Sequence, residues 1–164
     1  MPDNWGLNHI CVIASKDYVI KVRAMYQSLI DYSDQFKLWI CCIDESSFSI
    51  LNKMNLTHAV VFKVDEVEND ELRALKQERA VNEYCWTLKA PLIHHLLIRH
   101  DLETMLYCDG DIFFSLTPKK FLMTGVLLPF IYVLNAISTG SKKGMANIKQ
   151  ASSDFEMINM VLTG

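Results

Sequence analysis

The chain has 164 residues, of which 51% are hydrophobic, and a formal net charge of -3 at pH 7. This length and apolar content suffice for one domain core and exclude a disordered chain. The acidic balance and the scattered Lys and Arg residues argue against a nucleic-acid-binding protein. The five cysteines lie mostly in apolar segments without a Cys-x-x-Cys pair, so we predict buried, reduced thiols and a cytoplasmic protein.

No targeting or membrane segment is predicted. Residues 1–8 lack the basic and long apolar regions of a secretory signal. The uncharged segment Phe121–Ile137 is shorter than the roughly 20 residues that a membrane span requires, and Gly125 and Pro129 interrupt it. We predict a core strand or hairpin in this segment.

Strand and helix patterns alternate along the first two thirds of the chain. The predicted strands are His9–Ala14, Phe36–Ile43, Ala59–Val64 and Met105–Cys108. The predicted helices are Tyr18–Tyr32, Phe48–Met54 and a region with one break that follows the acidic stretch Asp65–Glu71 and ends at Arg99. This order predicts an α/β fold with a mostly parallel sheet and helices on both faces.

The end of the last of these strands carries the clearest chemical signal. The apolar run that begins at Met105 ends in Asp109 and Asp111, which are separated only by Gly110. Two hard oxygen donors at the carboxyl end of a buried strand can hold Mg²⁺ or Mn²⁺ and leave coordination positions for phosphates. A glycine between them lets a pyrophosphate approach the backbone. The alternative is a polar turn between two strands, because Asp-Gly is also a hairpin signal.

Several segments together resemble one enzyme family. They are an opening strand with a tyrosine after its loop, a second strand with Lys37-Leu38-Trp39-Ile40, a helix with Glu83-Tyr84-Cys85-Trp86-Thr87-Leu88-Lys89, and Tyr107-Cys108-Asp109-Gly110-Asp111. Over roughly His9–Pro118 this order is similar to nucleotide-diphospho-sugar transferases of the GT-A fold, of the glycogenin-like and lipopolysaccharide-galactosyltransferase-like kinds. The resemblance implies a glycosyltransferase that takes a nucleotide-diphosphate sugar, UDP-linked by preference, and an unknown acceptor.

The resemblance also implies roles for individual residues. Metal, Mn²⁺ or else Mg²⁺, would be bound by Asp109 and Asp111, with Asp109 also near the ribose and Gly110 near the diphosphate. The nucleotide pocket would be lined by Ala14, Ser15 and Tyr18. Diphosphate and sugar contacts would come from Lys89, Arg79 and Glu83.

Each of these roles has a structural alternative. Ser15 and Tyr18 are equally explained as a helix cap and a packed aromatic residue. Lys89 and Arg79 can be solvated surface cations. Trp86 can pack between domains rather than stack on a sugar.

The sequence departs from the family at two places. Several relatives carry an acid where this chain has Ser15 or Lys16, and family-eight-like enzymes supply a late metal-binding histidine from a His-x-x-Gly-x-x-Lys-Pro-Trp segment that is missing here. We therefore divide the chain into a nucleotide-sugar-binding α/β domain, 1–118, and a divergent or truncated end of the same domain, 119–164. An incomplete domain predicts an exposed apolar surface at Phe121–Ile137 and self-association.

Two other functions stay open at this point. One is a non-catalytic truncated fragment that retains at most nucleotide or metal binding, so whether the chain is an active enzyme is undecided. The other is a haloacid-dehalogenase-like phosphatase, which also places Asp-x-Asp after an apolar strand. That family expects Thr or Val where Phe113 stands, and further acids later in the chain.

Overall fold

A computed structural model of the chain describes residues 8–33 and 35–115 and the backbone of one further strand, 131–135. The strands are β1 Asn8–Ala14, β2 Phe36–Cys42, β3 Ala59–Lys63, β4 Thr104–Cys108 and β5 Ile131–Asn135. The helices are α1 Val19–Tyr32, α2 Glu45–Lys53, α3 Asp70–Glu78 and α4 Val81–Arg99, with short 3-10 turns at Lys16–Tyr18 and Val64–Glu66.

In the described part of the chain the strands form one sheet in the order β3-β2-β1-β4-β5. The first four strands are parallel, whereas β5 runs antiparallel to β4 and pairs Asn135 with Thr104. The predicted α/β fold with a mostly parallel sheet is confirmed. The strand expected within Phe121–Ile137 is present as β5, but the remainder of that segment, its predicted apolar surface and the division at residue 118 lie outside the described residues.

Helices cover both faces of this sheet. Along β1, Ile10, Val12 and Ala14 pack with α1 and α2 in one apolar cluster. Cys11 and Ile13 face the other way and pack with α3 and α4. Strands covered on both faces read as continuous apolar runs, which is why the sequence pattern identified them.

A polar residue determines where helix α2 begins. Helix α2 starts at Glu45, so the predicted start at Phe48 is wrong by three residues. The cause is Asp44, whose Oδ1 accepts a hydrogen bond from the Ser47 amide at 2.7 Å and caps the helix. The predicted break in the long helical region is confirmed between α3 and α4, where Arg79 and Ala80 are extended.

The expectations about thiols and membrane segments can be compared with the described residues. All five cysteines are free, with Cys85 partly exposed and the other four buried, as predicted. No helix in the described part combines the length and apolar character needed to cross a membrane.

Candidate functional site

The sheet order creates a crevice at the carboxyl ends of β1 and β4. From β1 the chain adds β2 and then β3 on one side, and it returns to place β4 on the other side of β1. In open α/β sheets the ligand site lies outside the carboxyl ends of the strands at such a reversal. Two loops meet at this position: Ser15–Tyr18 after β1 and Asp109–Asp111 after β4.

Asp109 is held by a lysine and a tyrosine. The Lys89 Nζ lies 2.9 Å from Oδ1 of Asp109 and 3.1 Å from Oδ2. The Tyr107 hydroxyl donates a hydrogen bond of 3.0 Å to Oδ1. The Lys89 Nζ also lies 5.0 Å from the centroid of the Tyr107 ring, within the range of a cation–π contact. The carboxylate is therefore fixed in direction and partly neutralised.

The local structure explains why these three side chains meet. Tyr107 and Asp109 are two residues apart at the end of β4, so their side chains leave the strand on the same face. Helix α4 packs on that face and carries Lys89, with Cys85 one turn earlier. Burial and the nearby Asp109 charge raise the pKa of the Tyr107 hydroxyl well above its usual value, which keeps that hydroxyl a hydrogen-bond donor.

Cys85 borders the same charges. Burial raises the pKa of its thiol; Lys89 opposes this effect and Asp109 adds to it. The thiol is therefore uncharged beside the ion pair at neutral pH.

Gly110 lets the two loops approach each other. A Cβ at this position would lie 3.0 Å from Cγ2 of Val22 and 3.4 Å from Cδ1 of Tyr18. The Asp109 carbonyl accepts a hydrogen bond from the Ile112 amide at 3.1 Å, which closes a turn and leaves Asp111 exposed. A larger residue at 110 would push the β4 turn away from α1 and the first loop.

The alternative of a direct hairpin does not describe this turn. Residues 112–115 are not in a strand, and the Phe114 amide donates to the Ser28 hydroxyl at 3.0 Å, which returns the chain to α1. Within the described residues, the antiparallel neighbour of β4 is β5, Ile131–Asn135.

The first loop is held by Asp44. Its Oδ2 accepts a hydrogen bond from the Lys16 amide at 2.8 Å. Ser15 occupies the cap position of the short 3-10 turn but makes no capping hydrogen bond through its side chain. Tyr18 lies beside Gly110 and is partly exposed. Ala14 is fully buried, and its carbonyl accepts a hydrogen bond from the Ile43 amide at 3.0 Å.

Three of the other residues considered from the sequence lie elsewhere, on α4 or in the connection that precedes it. Glu83, Arg79 and Trp86 line a groove between α3 and α4. An oxygen of Glu83 accepts a hydrogen bond from the Ala80 amide at 3.1 Å, and Arg79 donates to the Thr87 hydroxyl. The structure thus brings Lys89 to Asp109 and leaves Glu83 and Arg79 in this second surface.

The residues at the turn fit an open metal site rather than a closed one. Among the described residues there is no group of three or more His, Cys, Asp or Glu side chains that could enclose a metal ion. Each carboxylate oxygen has a second lone pair, and Mg²⁺ or Mn²⁺ often takes one or two carboxylates together with water and phosphate oxygens. Asp109 and Asp111 suit such a site if a ligand supplies the other oxygens.

Sequence reasoning did not assign a role to Tyr107 or to Asp44 in this site. The signal for Tyr107 was its position two residues before Asp109 on a strand, which places both on one face. The signal for Asp44 was its place after β2, next to β1 in the sheet. The Asp44 contact cannot be read without the pairing of β1 with β2, whereas the Tyr107 contact requires only the assignment of β4.

Comparison with known proteins gives similarity at two levels. No family model matches the chain. It is 31% identical over 113 residues to the uncharacterized protein YfnD of Bacillus subtilis (strain 168), covering 68% of this chain and 36% of that protein. It is 32% identical over 110 residues to the uncharacterized protein YfnF of the same organism, covering 66% and 36%. The chain thus spans about a third of the length of these relatives.

Two solved glycosyltransferase structures are similar to the chain. The apo structure of the bifunctional glycosyltransferase WbbM has a TM-score of 0.44 and 12% identity, covering 75% of this chain and 22% of that one. The galactosyltransferase LgtC in complex with donor and acceptor sugar analogues has a TM-score of 0.44 and 11% identity, covering 69% and 41%. Similarity at this level concerns the fold and gives no role to any residue.

Proposed function

We propose that this chain binds a nucleotide-diphosphate sugar in the crevice between β1 and β4 and serves glycosyl transfer, as in enzymes of the GT-A fold. One observation carries the proposal. The Asp-Gly-Asp turn lies at the carboxyl end of β4, against the loop that follows β1, with the buried Lys89 ammonium beside it. Carboxylates for a metal and a cation for a phosphate thus occur together where the fold places ligands.

The charged residues determine which ligand the crevice is suited to bind. Asp109 and Asp111 would hold Mn²⁺ or Mg²⁺, which stabilises the negative charge on a departing nucleoside diphosphate. Lys89 is close enough to Asp109 to contact a phosphate bound there, and Gly110 lets the turn lie against the loop that follows β1. Ser15 and Tyr18, at the mouth of the neighbouring loop, would contact the nucleoside.

The reaction that follows from this arrangement is a substitution at the anomeric carbon. The bond from that carbon to the diphosphate oxygen breaks, and the bonding electrons leave with the nucleoside diphosphate. A bond to the acceptor hydroxyl oxygen forms, and the hydroxyl proton passes to a phosphate oxygen of the departing nucleoside diphosphate. The chain spans about a third of the length of its relatives. We therefore propose acceptor binding and turnover for this chain together with donor binding.

Isothermal titration calorimetry with UDP-glucose tests the proposal. We expect the wild-type chain to bind UDP-glucose with MnCl₂ and to lose that binding in EDTA. Asp111→Asn should abolish the dependence on Mn²⁺, and the fold should persist because Asp111 is exposed. Asp70→Asn is the matched control, since Asp70 is a fully exposed acid in an ion pair with Arg73.

The same titrations decide against the proposal if Asp109→Asn and Asp111→Asn both bind UDP-glucose as the wild type does. A donor-hydrolysis assay then separates binding from catalysis. UDP release that depends on Mn²⁺ and is lost in Asp111→Asn would support an active transferase, whereas binding without release would favour the non-catalytic alternative.

A further inference from the structure

We infer that Asp44 is a positioning residue of the candidate site, because it fixes the loop that follows β1 and thereby sets the affinity for the nucleoside part of the ligand. This inference deepens the proposed function and rests on it for the nature of the ligand. The carrying observation is that one carboxylate joins two segments. Its Oδ1 accepts a hydrogen bond from the Ser47 amide at 2.7 Å, and its Oδ2 accepts one from the Lys16 amide at 2.8 Å.

The pairing of β1 with β2 brings Asp44 to this loop. The two strands are parallel, and the last pair in their register is Ala14 with Cys42, so both strands end at the same level of the sheet. The chain that leaves β2 therefore begins α2 beside the chain that leaves β1. Asp44 occupies the cap position of α2 with an extended backbone, at φ -140° and ψ 156°, as N-cap residues ordinarily do.

A buried serine strengthens this junction. Ser47 is fully buried, and its hydroxyl lies 3.3 Å from the Ala14 carbonyl oxygen and 2.9 Å from the Asp44 carbonyl oxygen. The Ile43 amide also donates a hydrogen bond to the Ala14 carbonyl, at 3.0 Å. The Asp44 carboxylate is thus supported by the first turn of α2 and the end of β1, so its position does not have to be ordered when a ligand binds.

The bond to Lys16 affects what Ser15 can do. The 3-10 turn of the loop begins at Lys16, and a serine just before a helical turn commonly caps it with its own hydroxyl. Here the first amide of the turn donates to Asp44 from another segment, and Ser15 makes no capping hydrogen bond through its side chain. The Ser15 hydroxyl is therefore available to a polar atom of a nucleoside bound beside the loop.

The other end of the loop is held separately. The Lys21 ammonium lies 4.2 Å from the centroid of the Tyr18 ring, which is a cation–π distance, and Tyr18 lies beside Gly110. Loss of the Asp44 bond should therefore free the Ser15–Lys16 end of the loop and leave Tyr18 beside Gly110. Positioning of the nucleoside is then separable from binding of a diphosphate at the turn after β4.

Calorimetric titrations of the whole chain in MnCl₂ test this role with two ligands, UDP and inorganic diphosphate. The variant is Asp44→Ser, because serine caps a helix as well as aspartate does but is too short to bridge to Lys16. We expect UDP to bind about five-fold more weakly, as the loss of one hydrogen bond predicts. Inorganic diphosphate should bind as it does to the wild type. A general loss of structure would weaken the binding of both ligands.

Asn69→Ser is the matched control. Asn69 caps α3 by accepting a hydrogen bond from the Leu72 amide at 2.8 Å and has no bond to the loop, so both affinities should stay unchanged. Hydrogen exchange of the Lys16 amide, followed by NMR, measures the bond itself. That exchange should be faster in Asp44→Ser than in the wild type and unaltered in Asn69→Ser.

A second variant removes the donor and leaves the cap of α2 in place. Lys16→Pro suits the first position of the turn, because the preceding Ser15 is already extended, at φ -104° and ψ 169°. UDP should bind this variant about five-fold more weakly as well, whereas Lys16→Gln, which keeps the amide, should bind UDP as the wild type does. This pair decides the question if Asp44→Ser does not fold.

The outcomes separate this inference from the proposed function. If UDP binds the wild type and Asp44→Ser equally well, or if Asp44→Ser loses affinity for UDP and diphosphate alike, the inference is overturned while the proposed function stands. If the wild type binds neither UDP nor UDP-glucose, the proposed function fails and the ligand role of Asp44 fails with it. Faster exchange of the Lys16 amide in Asp44→Ser would then still support the hold of Asp44 on the loop.

Discussion

Two clusters in the described part of the chain each combine a tyrosine, a lysine and an acid. They differ in which of the two charged side chains is more exposed to solvent. At the candidate site, Tyr107 and Lys89 both contact Asp109. In a second cluster, near the start of α4, Tyr84 and Lys76 both contact Glu68. In each cluster the lysine also lies over the tyrosine ring, at 5.0 Å and 5.7 Å from its centroid.

The two clusters differ in which charge is buried. The site lysine is 8% exposed and its carboxylate 23%, whereas the second cluster has a carboxylate that is 3% exposed and a lysine that is 37% exposed. A buried carboxylate capped by a solvated lysine can only tie two segments together. A carboxylate that is more exposed than its lysine can also accept a cation from solvent. The chemistry of a cluster therefore depends on its orientation as well as on its composition.

The largest expected effect tests this difference in burial. Asp109→Ala leaves the buried Lys89 ammonium without its carboxylate, and we expect the free energy of unfolding to fall by about 3 kcal/mol, the lower end for breaking a buried pair. Glu68→Ala should cost less, about 1 to 2 kcal/mol, because Lys76 can be hydrated and mainly the buried Tyr84 hydroxyl loses its acceptor. Urea denaturation of both variants measures the difference. A larger loss in Glu68→Ala would show that the comparison of burial is wrong.

The next effect concerns the close contact of Gly110 with Val22 and Tyr18 at the candidate site. Gly110→Ala would place a methyl group 3.0 Å from Cγ2 of Val22. Overpacking of this kind costs about 1 to 3 kcal/mol, and we also expect weaker UDP binding because Tyr18 must move with the loop. Thermal unfolding and calorimetry check the two effects. Ala80→Gly, in the exposed connection before α4, is a control that should leave UDP binding unchanged.

A smaller effect compares the two tyrosines directly. Tyr107→Phe and Tyr84→Phe each delete one hydroxyl that donates to a carboxylate, so each should lower the free energy of unfolding by about 1 kcal/mol. Only Tyr107→Phe should weaken Mn²⁺-dependent UDP binding, because only Asp109 lies in the proposed site. Equal losses of UDP affinity in the two variants would mean that the hydroxyl acts through stability alone.

The sequence predicted the fold better than it predicted these clusters. Parallel strands are covered on both faces, so residues 10–14 of β1 and 38–42 of β2 are apolar without interruption, and the Asp109–Asp111 pair marks the end of β4. Helix α2 was placed three residues too late because all of residues 44–47 were assigned to the turn and cap, whereas Asp44 alone is the cap and Glu45 is already helical. The partner of Asp109 could only be guessed, since Lys89 is 20 residues away and α4 carries several cations.

The sequence also could not tell the two clusters apart. Lys76 and Lys89 are both lysines on helices, and each lies well away in sequence from its acid, by 8 residues from Glu68 and by 20 from Asp109. Which of these ion pairs faces solvent depends on how α4 packs against β4 and α3. That packing is a property of the sheet order, which local patterns do not contain.

The smallest effect is the acid sensitivity of the second cluster. Burial alone would raise the pKa of the Glu68 carboxyl, but hydrogen bonds from Lys76 and Tyr84 outweigh it and hold that pKa below its usual value of 4.5. A lowered pKa in the folded state contributes stability that is complete above about pH 4.5 and is lost as the pH falls through the folded value. We expect a modest contribution because Lys76 is partly exposed.

Glu68→Gln should remove that part of the pH dependence, since the amide keeps an acceptor for Tyr84 but does not titrate. Urea denaturation from pH 6 to pH 3 should then show the wild type and the variant converging toward low pH, with the wild type more stable at pH 6. Asp70→Asn, which alters a fully exposed acid paired with Arg73, should follow the wild-type curve. If the stability curve of Glu68→Gln is parallel to that of the wild type throughout, the hydrogen bonds from Lys76 and Tyr84 do not lower the pKa of the Glu68 carboxyl.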